Sequence, residues 1–133
     1  MDKNIKELYE VALKARENAY TPLSSFKVGV ALKTKSGKII QGANIENGVP
    51  SVSACAEQSA LYAAIAMGER EFEEVMVVTD MVTPSSPCGV CRQTMAEFCR
   101  LDIKIHCANL QGDFFSTTLK DIFPKAYTPD HLY

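Results

Sequence analysis

A cysteine and a glutamate stand two apart at the head of "SACAEQSALYAAIAMG" (53–68), and two more cysteines open "PCGVCRQTMAEFCR" (87–100). Both groups fall where an apolar or amphipathic run begins. If these side chains act together, the fold has to bring the heads of two helices to one place. Parallel strand–helix–strand units do this, because each crossover helix runs back against its strands and begins at the sheet's carboxyl edge. That requirement constrains the fold more than any other feature of the chain.

The surrounding pattern agrees. Ile5, Leu8, Ala12, Ala15 and Ala19 recur at steps of three and four, which predicts an amphipathic helix over 3–19 that stops before Thr21-Pro22. "KVGVALKT" (27–34) and "KIIQGAN" (38–44) are β-rich runs around "KSGK", and predict a hairpin with strands at 27–34 and 38–43. A helix over 53–67 capped by Ser53 follows, then a buried strand "VMVVT" at 75–79, a helix over 89–100 and a strand "IKIHCA" at 103–108. "FFSTT" and "LKDIF" add an edge strand and a short helix. The expected fold is α/β: three layers, α-β-α, around a mixed five-stranded sheet. No repeat, linker or low-complexity tract divides the chain, so residues 1–133 are expected to form a single domain.

Charge narrows the partners. With 14 Lys and Arg against 16 Asp and Glu, scattered along the chain, there is no footprint for a nucleic acid polymer or an anionic membrane. A small, weakly charged ligand is the expectation. The chain has no run of 18 apolar residues and "MDKNIKELYE" is charged from its second residue, which predicts a cytoplasmic protein without a signal peptide or membrane span. In that setting the five cysteines are expected to stay reduced and to serve metal binding or catalysis.

Three thiols at two helix starts suit Zn²⁺, since the positive helix ends favour thiolates. The count matters, because structural zinc sites usually close with four protein ligands, whereas catalytic sites use three and leave one position to water. Cys99 lies about 12 Å along the helix from Cys91 at the usual rise and is too far to share an ion. Cys107 shares a strand face with Ile103 and Ile105 and reads as core. His106 and His131 read as structural or exposed. Taken alone, the C-x-x-C is also compatible with a redox pair, and Glu57 with a residue that only complements the helix dipole. In combination, Glu57 is placed to act as a general acid and base beside a metal held by Cys55, Cys88 and Cys91.

C-x-E followed by P-C-x-x-C is a zinc deaminase signature. Together with "FKVG" (26–29), "NIEN" (44–47), "CAE" (55–57), "PCGVCRQ" (87–93) and "FPKAY" (123–127), it makes the chain resemble the small homotetrameric cytidine deaminases over nearly its full length. The resemblance implies a cytidine deaminase-like fold and one Zn²⁺ per chain on Cys55, Cys88 and Cys91, with Glu57 as proton shuttle. It implies that Phe26 packs on the pyrimidine, Asn44 and Glu46 hold the ribose, the Ala56 backbone reads the base carbonyl and the Ser86 carbonyl receives the amino group. Tyr127 stands where the family places an aromatic that closes a neighbouring subunit's pocket, so the resemblance implies a homotetramer with shared active sites. The implied reaction is hydrolytic deamination of cytidine and 2′-deoxycytidine in pyrimidine salvage.

Two positions depart from the family pattern. Gln58 follows "CAE" where an arginine is usual, and Pro50 stands where a tyrosine is common. Both features are similar to the related blasticidin S deaminases, which makes an antibiotic or modified cytosine nucleoside the alternative substrate; "NIEN" favours a ribose. A structural zinc in a binding protein and a polynucleotide deaminase are the competing classes. The first requires a fourth protein ligand, and the second a basic groove. A neutral amide at 58 leaves the thiolate charge less compensated than an arginine does. Gln58→Arg is therefore expected to move the acid limb of the pH–rate profile downward; an unmoved limb, or an upward move, contradicts this.

Overall fold

The computed structural model describes residues 1–131. Helix α1 (Lys3–Arg16) is followed by strands β1 (Gly29–Thr34) and β2 (Ile39–Ala43), helix α2 (Ala56–Ala66), strand β3 (Phe72–Val78) and helix α3 (Gly89–Phe98). Strands β4 (Lys104–Ala108) and β5 (Phe114–Thr118) and helix α4 (Leu119–Ile122) complete the chain. The five strands form one sheet in the order β2-β1-β3-β4-β5. Strand β1 is antiparallel to both β2 and β3, β3 is parallel to β4, and β5 returns antiparallel along the edge. Because β2 and β3 both oppose β1, they run in the same direction. Helices α2 and α3 are thus two crossovers of the same sense, and both begin at the carboxyl edge of the sheet.

The layers follow from alternation along the strands. Ala31, Met76, Val78 and Ala108 pack beneath Leu8 and Ala12 of α1. Their neighbours Val30, Leu32, Val75, Val77, Ile105 and Cys107 face α2 and α3, where they meet Ala60, Leu61, Ala64, Cys91 and Met95. The mixed three-layer fold expected from the sequence is the one observed.

Several boundaries differ from the expected ones, each for a local reason. Asp2 caps α1 by accepting the Ile5 N–H at 2.8 Å, but the helix ends at Arg16 rather than 19. Tyr20 is drawn off to bridge the 44–46 segment, donating its N–H to the Asn44 carbonyl and accepting from the Glu46 N–H. Helix α2 starts at Ala56 with Cys55 as its cap, not at Ser53. Ala54 and Ile45 exchange two backbone hydrogen bonds at 2.9 Å, which keeps the chain extended there, and Ser53 Oγ is occupied by the Asn47 N–H. Pro50–Val52 forms a short 3₁₀ turn. Strand β3 begins at Phe72, three residues early, and within the added residues Glu74 accepts from Asn4 Nδ2 at 3.1 Å and pairs with His106 Nε2 at 2.8 Å. Helix α3 ends at Phe98, as Cys99 turns to extended geometry.

Close approach of α2 to the sheet depends on Gly42. A Cβ there lies 2.3 Å from the Ala56 carbonyl oxygen and 2.7 Å from Ala60 Cβ, so β2 and the first turn of α2 touch with no room for a side chain. Gly42→Ala is expected to cost about 1–3 kcal/mol through overpacking. It should lower the urea midpoint and displace the first turn of α2; an unchanged midpoint contradicts this packing.

Candidate active site

The starts of α2 and α3 meet at the sheet's carboxyl edge. Cys55 is the residue before the first turn of α2, Cys88 holds the same position on α3, and Cys91 lies in the first turn of α3. Their sulfur atoms all lie within 4.8 Å of one another, with Cys88 and Cys91 at 3.7 Å. A tetrahedral zinc bound at about 2.3 Å per sulfur requires an edge of about 3.8 Å, so the three thiols fit the ion with little adjustment. Among the described residues no further Cys, His, Asp or Glu joins this group. His106 is held by Ser116 Oγ and Glu74, His131 by Thr128, and Cys107 lies in the core. The donor set is that of a three-ligand site.

The thiols already share protons. Cys55 is lowered to about 7, chiefly by the hydrogen bond it accepts from Cys91, while burial and the nearby Glu57 carboxylate oppose that shift. Cys91 is pushed up as the donor in that bond, with burial adding to the effect. Glu57, 6 % exposed, has its carboxyl raised first by burial. It lies under the same cleft as the sulfurs, in the first turn of α2.

That cleft encloses about 260 Å³. Of the residues expected at the site, Phe26, Asn44, Ala56, Glu57 and Ser86 line it together with the three cysteines. The Asn44 amide accepts from the Val28 N–H at 2.9 Å and donates to the Phe26 carbonyl at 2.8 Å, fixing the backbone on both sides of Lys27. Glu46 and Tyr127 stand apart from the lining. Glu46 accepts from the backbone N–H groups of Leu23 and Ser24 and from Ser24 Oγ, and these bonds hold its carboxyl below the usual range. Tyr127 is 52 % exposed, stacks on His131 with centroids 5.4 Å apart, and accepts from Gln93 Nε2 through its carbonyl.

The Gln58 side chain makes no hydrogen bond to sulfur among the described contacts, whereas its backbone N–H faces Cys55 Sγ in a capping box. Its Oε1 accepts the Cys55 N–H at 3.0 Å and its Nε2 donates to Thr94 Oγ1 at 3.4 Å, so it ties the first turn of α2 to α3. The Gln58 side chain is a brace between the two helix starts. Arg92 is tied to its own chain: Nε donates to the Pro87 carbonyl and Nη2 to Ser86 Oγ, both at 2.8 Å, and Nη1 donates to the Ile122 carbonyl. The guanidinium fixes the turn that carries Cys88 to α4. Thr79 and Met81 also line the cleft, and sequence reasoning passed over them. The signal for Thr79 was the period-two face carrying Val75 and Val77.

Zinc uptake by the metal-free protein must release protons, because the raised Cys91 is protonated near neutrality and Cys55 is half so near pH 7. Apparent affinity is expected to rise between about pH 6 and 8, and titration calorimetry in buffers of different ionisation heat should show proton release. A pH-independent affinity with no release contradicts the thiol assignment.

Comparison with known proteins agrees with this geometry. The sequence model of the cytidine and deoxycytidylate deaminase zinc-binding region matches residues 2–107. A cytidine deaminase of Halalkalibacterium halodurans is 44% identical over 132 residues, covering 99% of this chain and 98% of its own. A blasticidin-S deaminase of Bacillus cereus is 32% identical, covering 92% and 91%. The crystal structure of a cytidine deaminase from Burkholderia pseudomallei superposes with a TM-score of 0.90 at 41% identity, over 96% of this chain and all of that one. The three-thiol cluster, the buried glutamate and these likenesses agree: the chain belongs to the cytidine and deoxycytidylate deaminase family.

Proposed function

We propose that this chain hydrolyses cytidine and 2′-deoxycytidine to uridine and 2′-deoxyuridine, releasing ammonia, as a zinc-dependent aminohydrolase of pyrimidine salvage. The observation that carries the reading is the buried Glu57 carboxyl in one cleft with three converging thiols and no fourth protein ligand among the described residues. Cys55, Cys88 and Cys91 hold the ion, which when bound supplies the Lewis acidity that activates water. Every other step falls to the protein. Glu57 takes a proton from the attacking water and passes it to the ring nitrogen N3, then takes the second proton from the new C4 hydroxyl and gives it to the amine, which leaves as ammonia while the C4 carbonyl forms. Its burial suits the work, because a carboxyl raised toward neutrality exchanges protons in both directions.

The cleft orients the ring. Phe26 offers its face to the pyrimidine, the Ala56 N–H at the helix start donates to the base carbonyl, and the Ser86 carbonyl accepts from the amino group. Asn44 and Glu46 address the ribose, the latter after releasing part of its hold on Leu23 and Ser24. Tyr127, exposed and outside its own cleft, closes the cleft of a neighbouring copy in a homotetramer. The chain acts as one domain in the cytoplasm; among the described residues no helix is long and apolar enough to cross a membrane. A blasticidin-type substrate is less well supported, since that relative is 32% identical against 44% for the cytidine deaminase.

An absorbance assay of cytidine, 2′-deoxycytidine and blasticidin S tests both the reaction and the substrate. The zinc-loaded protein is expected to turn over the first two, and Glu57→Gln to lose about 10²–10⁴-fold in kcat with its zinc retained. Turnover that survives in the glutamine variant overturns the role of Glu57. No turnover of any of the three overturns the enzyme reading, and turnover of blasticidin S alone replaces the substrate.

A further inference from the structure

Five polar side chains other than cysteine line the cleft: Asn44, Glu57, Thr79, Ser85 and Ser86. Four are engaged. Asn44 is bonded at both ends to backbone, Ser85 Oγ donates to the Ser86 carbonyl at 3.3 Å, Ser86 Oγ accepts from Arg92, and Glu57 is the proton carrier of the proposed reaction. Thr79 is left over. It is 7 % exposed; its N–H donates to the Ala108 carbonyl, and the one hydrogen bond of its hydroxyl among the described residues is a long one, accepted from the Met81 N–H at 3.4 Å. The O–H is therefore a buried donor with no acceptor among the described residues, a state that costs free energy unless a ligand or water takes the bond.

Its position says which ligand. Thr79 is the first residue beyond β3, on the face shared by Val75 and Val77, which turn toward α2 and α3. Ligands of open α/β sheets bind at this carboxyl edge. Phe26, at 37 % exposure, stands at the mouth of the cleft, so Thr79 lies deeper. The reacting carbon of a cytosine nucleoside has to sit beside the thiols and Glu57, which sends the ring inward and the sugar toward the mouth.

We propose that the Thr79 hydroxyl is a further substrate-contacting group, donating a hydrogen bond to the cytosine ring of the bound nucleoside. The inference rests on the reading of this cleft as the nucleoside site. The base carbonyl oxygen carries two lone pairs, so an N–H from Ala56 and an O–H from Thr79 are both accommodated. A neutral hydrogen bond of this kind is worth roughly three- to tenfold in binding.

Thr79→Val keeps the shape and removes the donor, while Thr79→Ser keeps the donor. In the zinc-loaded full chain, Thr79→Val is expected to raise KM roughly three- to tenfold for cytidine and by the same factor for 2′-deoxycytidine, with kcat within about twofold. Thr79→Ser should stay within about twofold of the parent, and the Kd for uridine should rise with KM in the valine variant. An unchanged KM and Kd in Thr79→Val overturns the contact. Equal losses in serine and valine variants reduce Thr79 to packing, and a penalty confined to one sugar moves the contact off the ring. If the valine variant does not fold, Thr79→Ala, which adds no bulk, carries the comparison. If the parent binds cytidine without turning it over, the proposed reaction fails, and Kd values of the same variants still decide the role of Thr79.

Discussion

The site depends on two helix starts held against one sheet edge. Cys55 caps α2 and Cys88 caps α3, so each supplies a sulfur where the unpaired N–H groups and the dipole favour a negative charge. Neither helix is placed by the metal ligands alone. Gly42 admits the first turn of α2 to within contact of β2, Gln58 ties that turn to Thr94 of α3, and Arg92 anchors the turn before Cys88 to the Ile122 carbonyl. Thiol convergence is a consequence of packing and backbone capping, and the chemistry inherits its geometry from them.

The two faces of the sheet divide the labour. Under α1, His106 lies between Ser116 and Glu74, and Glu74 also accepts from Asn4, whose Oδ1 takes a bond from Lys33 Nζ at 2.9 Å. This polar chain joins α1, β1, β3, β4 and β5, and none of its residues is among those lining the cleft. The other face carries the thiols, Glu57 and Thr79. A histidine and a glutamate at hydrogen-bond distance are here part of the scaffold, whereas Glu57, buried beside cysteines with no cationic partner among the described residues, is the proposed reactive group.

Much of this was legible in the residues. The period-two and period-3.6 runs carry the element order, and crossover logic alone puts both cysteine groups at one edge. Cys107 in the core and the lone positions of both histidines were also readable. The misses have a common origin in contacts between distant segments. Ser53 is a good capping residue, yet Ala54 pairs with Ile45 and passes the role to Cys55. Strand β3 extends past the apolar run through Glu73 and Glu74, where Asn4 and His106 satisfy the second carboxylate. Gln58 stands where an arginine is usual, and its amide is taken up by the Cys55 N–H and by Thr94 across the helix pair. Local sequence reports which groups need partners, and not which distant atoms supply them.

The central claim is a zinc held by three sulfurs of this chain with its fourth position open to solvent or substrate. X-ray absorption at the zinc edge measures this directly on the purified protein. The account predicts a first shell of about three sulfurs near 2.3 Å and one oxygen or nitrogen near 2.0 Å, the light atom changing when a cytosine nucleoside analogue is added. A closed shell of four sulfurs, or a light atom that is a histidine nitrogen unaffected by the analogue, would contradict it.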